Sequence, residues 1–252
     1  MTAALPPNAL ALLQQALAEG TLSLSYQPQI ELATGRIVGW EALSRWHHPQ
    51  YGTIPPDAFI PLAERHGLIV PLGQWLWRQA THDLPVLLQT YPGTRLSLNV
   101  SMVELCHADF FEHLNGVLLN MSPRAVGQLE IEITESAYLG CTQSLIAPLQ
   151  ALQKRGITLA IDDFGTGHSN MRRLFALPFN KIKLDKSYIA ILNNPQGKLF
   201  ALDAVNLASQ FHKALVCEGI ENREQAKQLQ RMGVQYGQGY LFGVPMPLHH
   251  WV

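Results

Sequence analysis

The chain has 252 residues, 47% of them apolar, with 19 glycines and 16 prolines, enough to bury one large core of barrel or doubly wound type. A net charge of −1 argues against a duplex nucleic-acid partner, which calls for a basic face. Charged residues make up only 15%, well under the ~25% usual for soluble domains, so a cluster of carboxylates would carry information.

Asn8 is placed to cap a helix of about 8–19 whose Leu10, Leu13 and Leu17 share a face, and Gly20 is placed to stop it. The N-terminus lacks a basic stretch and holds two prolines, unlike a secretory signal. The period then changes to two in "TLSLSYQ", where Leu22, Leu24 and Tyr26 alternate. "ATG" at 33–35 turns the chain into "RIVGWEALSRW". So short a connection cannot hold a parallel crossover, and these two strands are expected to pair antiparallel. Later strand-like runs end near Asn99, Thr134, Asp162, Asp185, Glu218 and Gln238. Helical stretches separate them at 71–90, 103–120, 142–155, 196–212 and 221–232. Eight strands in mostly β-then-α order predict a (β/α)8 TIM-like barrel over about 21–247, with one antiparallel strand near the N-terminus, in a single domain of 1–252. No apolar run approaches ~18 residues, so no membrane-spanning segment is expected. Cys106, Cys141 and Cys217 show neither zinc spacing nor an even count, which fits a reducing, cytoplasmic setting.

Polar residues gather at the strand ends: Glu41, Asn99, Glu132, Asp162 with Asp163, Lys183 with Asp185, Glu218 and Gln238. A closed barrel brings these onto its C-terminal face, where barrel chemistry sits. Any one of them alone is better read as a solvated edge or an ion-pair partner. Together they would repel unless cations neutralised them. Hard divalent ions such as Mg²⁺ or Mn²⁺ prefer carboxylate and amide oxygens. Adjacent Asp162 and Asp163 point to opposite sides unless the strand ends between them, and the following "GTG" suits such a break. Asp163 is then placed to reach a second ion. His47 and His48, between Trp46 and Pro49, read as a turn or surface pair rather than a metal motif.

Longer motifs carry a resemblance. "EALSRWHHPQYGTIPPDAFIPLAERHGLI" at 41–69, "EITES" at 132–136, "DDFGTG" at 162–167, "EGIE" at 218–221 and "QGYLFGVPMP" at 238–247 resemble the EAL-domain cyclic di-GMP phosphodiesterases, over about 25–247. The resemblance implies hydrolysis of cyclic di-GMP to linear pGpG with two Mg²⁺ or Mn²⁺ ions, inhibition by Ca²⁺, and a homodimer. It implies that Glu41, Asn99, Glu132 and Asp162 hold the first metal, and that Asp163 holds the second with Asp185 and Glu218 nearby. By the same resemblance Lys183 contacts the attacking water or a phosphate oxygen, Glu218 is a candidate base, and Gln238 orders water or substrate. Gln27 and Arg45 match ligand-binding positions, Arg45 through its planar fork. Glu135 and Glu221 would support the ligands from behind. An odd separation from Glu132 turns Glu135 away from the metals, toward the backbone N–H groups and Ser169 hydroxyl of "DFGTGHSN". His168, Asn170, Cys217 and Asn222 depart from the family pattern without removing a ligand. The rival reading is a receptor that binds cyclic di-GMP without cleaving it, which would dispense with metal ligands that are all present here; a protein-interaction module would dispense with the substrate contacts as well.

Overall fold

The first helix, α1 (Ala9–Glu19), buries Ala9, Leu13 and Ala16 and stops at Gly20, whose φ of 67° is left-handed. Asn8 stands at its N-cap but makes no side-chain bond to it; the Ala9 N–H is taken instead by the Pro6 carbonyl. The computed structural model describes residues 5–135, 143–166 and 178–252.

Strands β1 (Ser23–Glu31) and β2 (Ile37–His48) pair antiparallel, with Gln27 opposite Glu41. A short hairpin strand, β3 (Gly52–Ile54), extends β2 beyond the barrel. Then come β4 (Arg95–Asn99), β5 (Leu129–Thr134), β6 (Thr158–Phe164), β7 (Lys181–Leu184), β8 (Ala214–Cys217) and β9 (Tyr236–Gln238). From β2 through β4 to β9 each of these pairs parallel with the next. The ring closes where β1 also pairs antiparallel with β9. The barrel is therefore the expected one, with β1 reversed against both of its neighbours.

The strands hold their places by alternation. In β5, Ile131 and Ile133 join the apolar shell under the helices, while Glu130 and Glu132 turn inward. In β6, Leu159 and Ile161 do the same, and Ala160 and Asp162 turn inward. The outer layer includes α2 (Pro56–Arg65), α3 (Ile69–Thr90) and the helices Gln143–Lys154, Pro195–Gln210 and Arg223–Arg231. The stretch at 103–120 is not one helix. It breaks into Met102–Leu105 and Phe110–Leu119, and between them the chain turns back on itself, the Asp109 N–H donating to His107 Nδ1.

A second apolar cluster lies outside the barrel. It packs Leu13 of α1 against Trp46 of β2, Phe59 of α2 and Leu72 of α3, with the Trp46 and Phe59 rings edge to face at 5.8 Å. This cluster seats α2 and α3 beside the barrel mouth. Leu13 is fully buried, so Leu13→Ala is expected to cost about 2–4 kcal/mol in urea unfolding. A loss of only a few tenths would show that α1 lies outside the cooperative core.

Candidate active site

The inward residues at the C-terminal ends of the strands meet around one ammonium group. Lys183 is fully buried, and its Nζ stands 2.6 Å from Glu132 Oε2, 2.7 Å from Glu218 Oε1, 3.1 Å from Asp162 Oδ1 and 3.7 Å from Glu41 Oε2. Glu41 is held from both sides: Asn99 Nδ2 donates to its Oε1 at 2.7 Å and Gln238 Nε2 to its Oε2 at 2.5 Å. Gln238 also donates to Gln27 Oε1 at 3.0 Å, while the Gln27 amide donates to the Gly243 carbonyl.

Asp162 and Asp163 do not straddle the end of a strand. The register of β6 against β7 shifts between Ile161, opposite Ile182, and Phe164, opposite Leu184. Asp162 and Asp163 therefore share the single facing position of Lys183, which is a β-bulge. Asp163 takes the extra residue's conformation at φ 52°, a region that Asp tolerates better than most residues. The bulge keeps both carboxylates on the inner side, where oxygens of Asp162, Asp163 and Glu218 all lie within 4.8 Å of one another. The strand break expected between the two aspartates is therefore corrected to a bulge within a strand that runs on to Phe164.

Burial and mutual repulsion set the charges. Burial pushes the Glu218 carboxyl up to about 8, with Asp162 and Glu41 adding to the rise and Lys183 opposing it. Burial, then Asp162 and Asp185, lift Asp163 to about 6. Glu132 is raised by burial and by the neighbouring carboxylates against the pull of Lys183. For Glu41 burial acts upward, but Lys183, Gln238 and Asn99 outweigh it and hold the carboxyl below the usual range. The Lys183 ammonium is held well above its ordinary value: burial acts downward, and Asp162, Glu132, Glu218 and Glu41 overcome it.

The donor set fits hard divalent cations. Asp162 Oδ1 and Glu218 Oε1 are buried, and the cation against them among the described residues is Lys183, at 3.1 Å and 2.7 Å, which they share with Glu132 and Glu41. One ammonium among that many carboxylates leaves negative charge that is costly to bury unless further cations offset it. Beside Asp162 and Glu218, the residues Glu41, Asn99, Glu132 and Asp163 offer further carboxylate and amide oxygens of the type Mg²⁺ and Mn²⁺ take.

Other expected residues fall in several places. Asp185 borders Asp163 but uses its Oδ1 to cap the short helix Lys186–Ala190, accepting the Ser187 N–H at 2.9 Å. Arg45 stands four residues beyond Glu41 on β2, on the same inward side, and donates to the Ser44 carbonyl. Glu135 is buried and turned away from Glu132, its Oε2 accepting the Gly165 N–H at 2.8 Å. Gly165 is gripped from its other side by Tyr188, whose hydroxyl donates to the Gly165 carbonyl. Its φ of 94°, and a Tyr188 ring that would lie 2.7 Å from a β-carbon there, leave room for glycine alone. Ser169, His168 and Asn170 lie outside the described residues. Glu221 is exposed, and among the described residues no hydrogen bond or ion pair ties its carboxylate to the cluster; its backbone N–H is taken by Gln225.

Sequence reasoning passed over a deeper polar layer of Gln29, Ser97, Glu130 and Lys181. Glu130 and Lys181 stand two residues before Glu132 and Lys183, so the same alternation could have found them. It also passed over Glu104, a buried carboxyl pushed up to about 8 by burial, against a bond from the Ser101 backbone. Ser101 and Glu104 have the spacing of a helix cap, and that is how the pair reads in sequence. Glu104 lines a cleft of about 720 Å³ that Ile60 and Pro61 of α2 wall on one side and Asn99, Asp162 and Asp163 floor.

The family model described as EAL domain matches residues 11–245. The chain belongs to the EAL-domain family. The cyclic di-GMP phosphodiesterase PA2567 of Pseudomonas aeruginosa is 38% identical over 224 residues, covering 88% of this chain and 38% of that protein. The bifunctional diguanylate cyclase/cyclic di-GMP phosphodiesterase MucR of the same organism is 35% identical over 237 residues, covering 93% of this chain and 34% of its own. The chain spans about a third of the length of the curated relatives it matches. The solved PaMucR phosphodiesterase in complex with c-di-GMP superposes on this EAL domain with a TM-score of 0.90 at 34% identity, covering 96% of this chain and 99% of that one.

The raised carboxyls give this EAL domain a pH-dependent demand for cations. Between the ordinary value of 4.5 and about 8 for Glu218, the folded site holds a proton that an unfolded chain has released. Stability from this group is thus present below 4.5 and declines as pH rises toward 8. A bound cation takes the proton's place. Mg²⁺ or Mn²⁺ is therefore expected to raise Tm more at pH 8 than at pH 6, and scanning fluorimetry showing equal shifts at the two pH values would count against it.

Proposed function

We propose that this EAL domain hydrolyses one phosphodiester bond of cyclic di-GMP to give linear pGpG, with two Mg²⁺ or Mn²⁺ ions at the barrel mouth. Most support comes from the oxygens of Asp162, Asp163 and Glu218 gathered within 4.8 Å of one another, with Asp162 and Asp163 flooring a cleft walled by α2. Relatives of this chain carry the phosphodiesterase name, and a close structural match is a complex with c-di-GMP. A receptor that binds without cleaving would have no need of the metal ligands, all of which are present.

Glu41, Asn99, Glu132 and Asp162 would hold the first cation; Asp163, with Asp185 and Glu218 beside it, would hold the second. Bound there, the ions supply a water of lowered pKa and offset the charge that grows on the phosphate in an in-line displacement. Glu218 accepts the proton of the attacking water. Lys183 orients that water or a phosphate oxygen, and Gln238, anchored on Glu41 and Gln27, orders water or substrate. Arg45 presents its fork to a phosphate, and Gln27 lines the ligand's path. Glu135 acts on Asp163 through Gly165 and so steadies the second ion. A homodimer and a cytoplasmic place of action belong to the same reading, the former open to light scattering. Among the described residues no helix is long and apolar enough to cross a membrane.

Incubation with cyclic di-GMP and Mg²⁺, followed by chromatography, is expected to yield pGpG, with Ca²⁺ inhibiting because its larger, looser coordination misplaces the water. Glu41→Ala and Asp162→Ala are expected to abolish turnover while the protein stays folded. Turnover that persists in excess chelator, or in either variant, would falsify the metal scheme. Glu218→Gln is expected to lower turnover more than affinity, the latter measured by calorimetry with Ca²⁺ present. Equal losses would make Glu218 a ligand rather than a base.

For Glu135→Ala, turnover is expected to fall ~10-fold or more, with the second metal weakened and the first retained. A metal titration with unchanged stoichiometry, at an unchanged rate, would remove Glu135 from the site.

A further inference from the structure

Below the mouth, the barrel interior carries a second polar layer where bulky branched side chains usually fill the space. Gln29, Ser97, Glu130 and Lys181 are all buried. Lys181 Nζ pairs with Glu130 at 2.6 Å and 2.8 Å to its two oxygens. A buried ion pair is a weak source of stability, since apolar residues of similar size commonly do as well. Its geometry offers another reason for its presence.

Lys181 Nζ also lies 3.4 Å from Gln29 Oε1. An ammonium only donates, so the carbonyl end of the Gln29 amide must face it. The amide nitrogen is then turned the opposite way, 3.4 Å from Glu132 Oε1 and 3.5 Å from Ser97 Oγ. Lys181 alone fixes this orientation of Gln29, and Glu132, ionised whenever it holds a cation, is then the acceptor the amide nitrogen faces. Gly39 on β2 makes the room: a β-carbon there would stand 3.0 Å from Gln29 Oε1. Glu132 is thus approached through Oε1 from below and through Oε2 by Lys183 from the centre. At these lengths the lower contacts restrain direction more than they add strength.

We propose that Gln29, oriented by the Lys181–Glu130 pair, is a positioning residue that aims the Glu132 carboxylate at the first metal. The role rests on the reading that Glu132 holds a divalent cation. It concerns a layer that touches neither substrate nor metal, and it acts only through the direction of Glu132's lone pairs.

Mn²⁺ binding to the intact chain, followed by the electron paramagnetic resonance signal of free Mn²⁺, tests it without reference to turnover. Gln29→Leu, close in size and unable to bond either neighbour, is expected to weaken one of the two bound ions ~10-fold or more, the scale of losses behind a metal ligand. Leu215→Ala, a buried apolar truncation on β8, serves as the comparison: it should lower Tm and leave Mn²⁺ affinity unchanged. Folded Gln29→Leu with wild-type affinity overturns the proposal, as does an equal loss of affinity in Leu215→Ala. Should Gln29→Leu not fold, Gly39→Ala displaces the same amide without removing it and is held to the same two outcomes. A wild-type chain that takes up no Mn²⁺ would overturn the metal reading itself, and this one with it.

Discussion

One buried ammonium organises the mouth of this barrel. Lys183 faces four carboxylates, those of Glu41, Glu132, Asp162 and Glu218, so it neutralises only part of the charge gathered round it. Removing ions from water is expensive, and an uncompensated cluster of like charges is worse. The surrounding structure answers that constraint by degrees. Asn99 and Gln238 bond Glu41 in its ionised form, while Glu218, with less help, is pushed toward the protonated form. What protein groups leave unbalanced is the demand that divalent cations are suited to meet.

Much of this was legible in the strand ends. Period-two alternation with a polar last residue is a local signal, and it placed Glu41, Asn99, Glu132, Asp162, Lys183, Glu218 and Gln238 on one rim before any pairing was known. The bulge at Asp162 and Asp163 was not legible in that way, because a bulge is a property of two strands: only the register of Ile161 and Phe164 against β7 reveals the extra residue. The failed cap at Asn8 and the broken helix at 103–120 were likewise decided by backbone geometry that residue type does not specify. Glu135 went the other way. Its odd spacing from Glu132 correctly turned it toward the segment after Asp163, and the Gly165 N–H supplied the partner.

The depth of the barrel was the least visible dimension. Glu130 and Lys181 share the inward face of Glu132 and Lys183, yet a charge two residues inside a strand reads in sequence as one more alternation. Only closure of the barrel, which brings β1 across from β5 and β7, shows that Gln29 joins the two levels. The floor and the rim are then one connected polar structure within an apolar shell.

The reversal of β1 also decides where the chain meets the barrel. Ser23 pairs with Arg45 and Gln29 with Gly39, so β1 begins at the rim and descends. In an all-parallel barrel the first strand climbs from the opposite end, and whatever precedes it is kept a barrel's height from the chemistry. Here α1 hands the polypeptide directly to the rim that carries Lys183 and its carboxylates, and its Leu13 packs in the same cluster as Phe59 of α2, the helix whose Ile60 and Pro61 wall the cleft. The chain's entry and the cleft are therefore neighbours, joined through one apolar cluster.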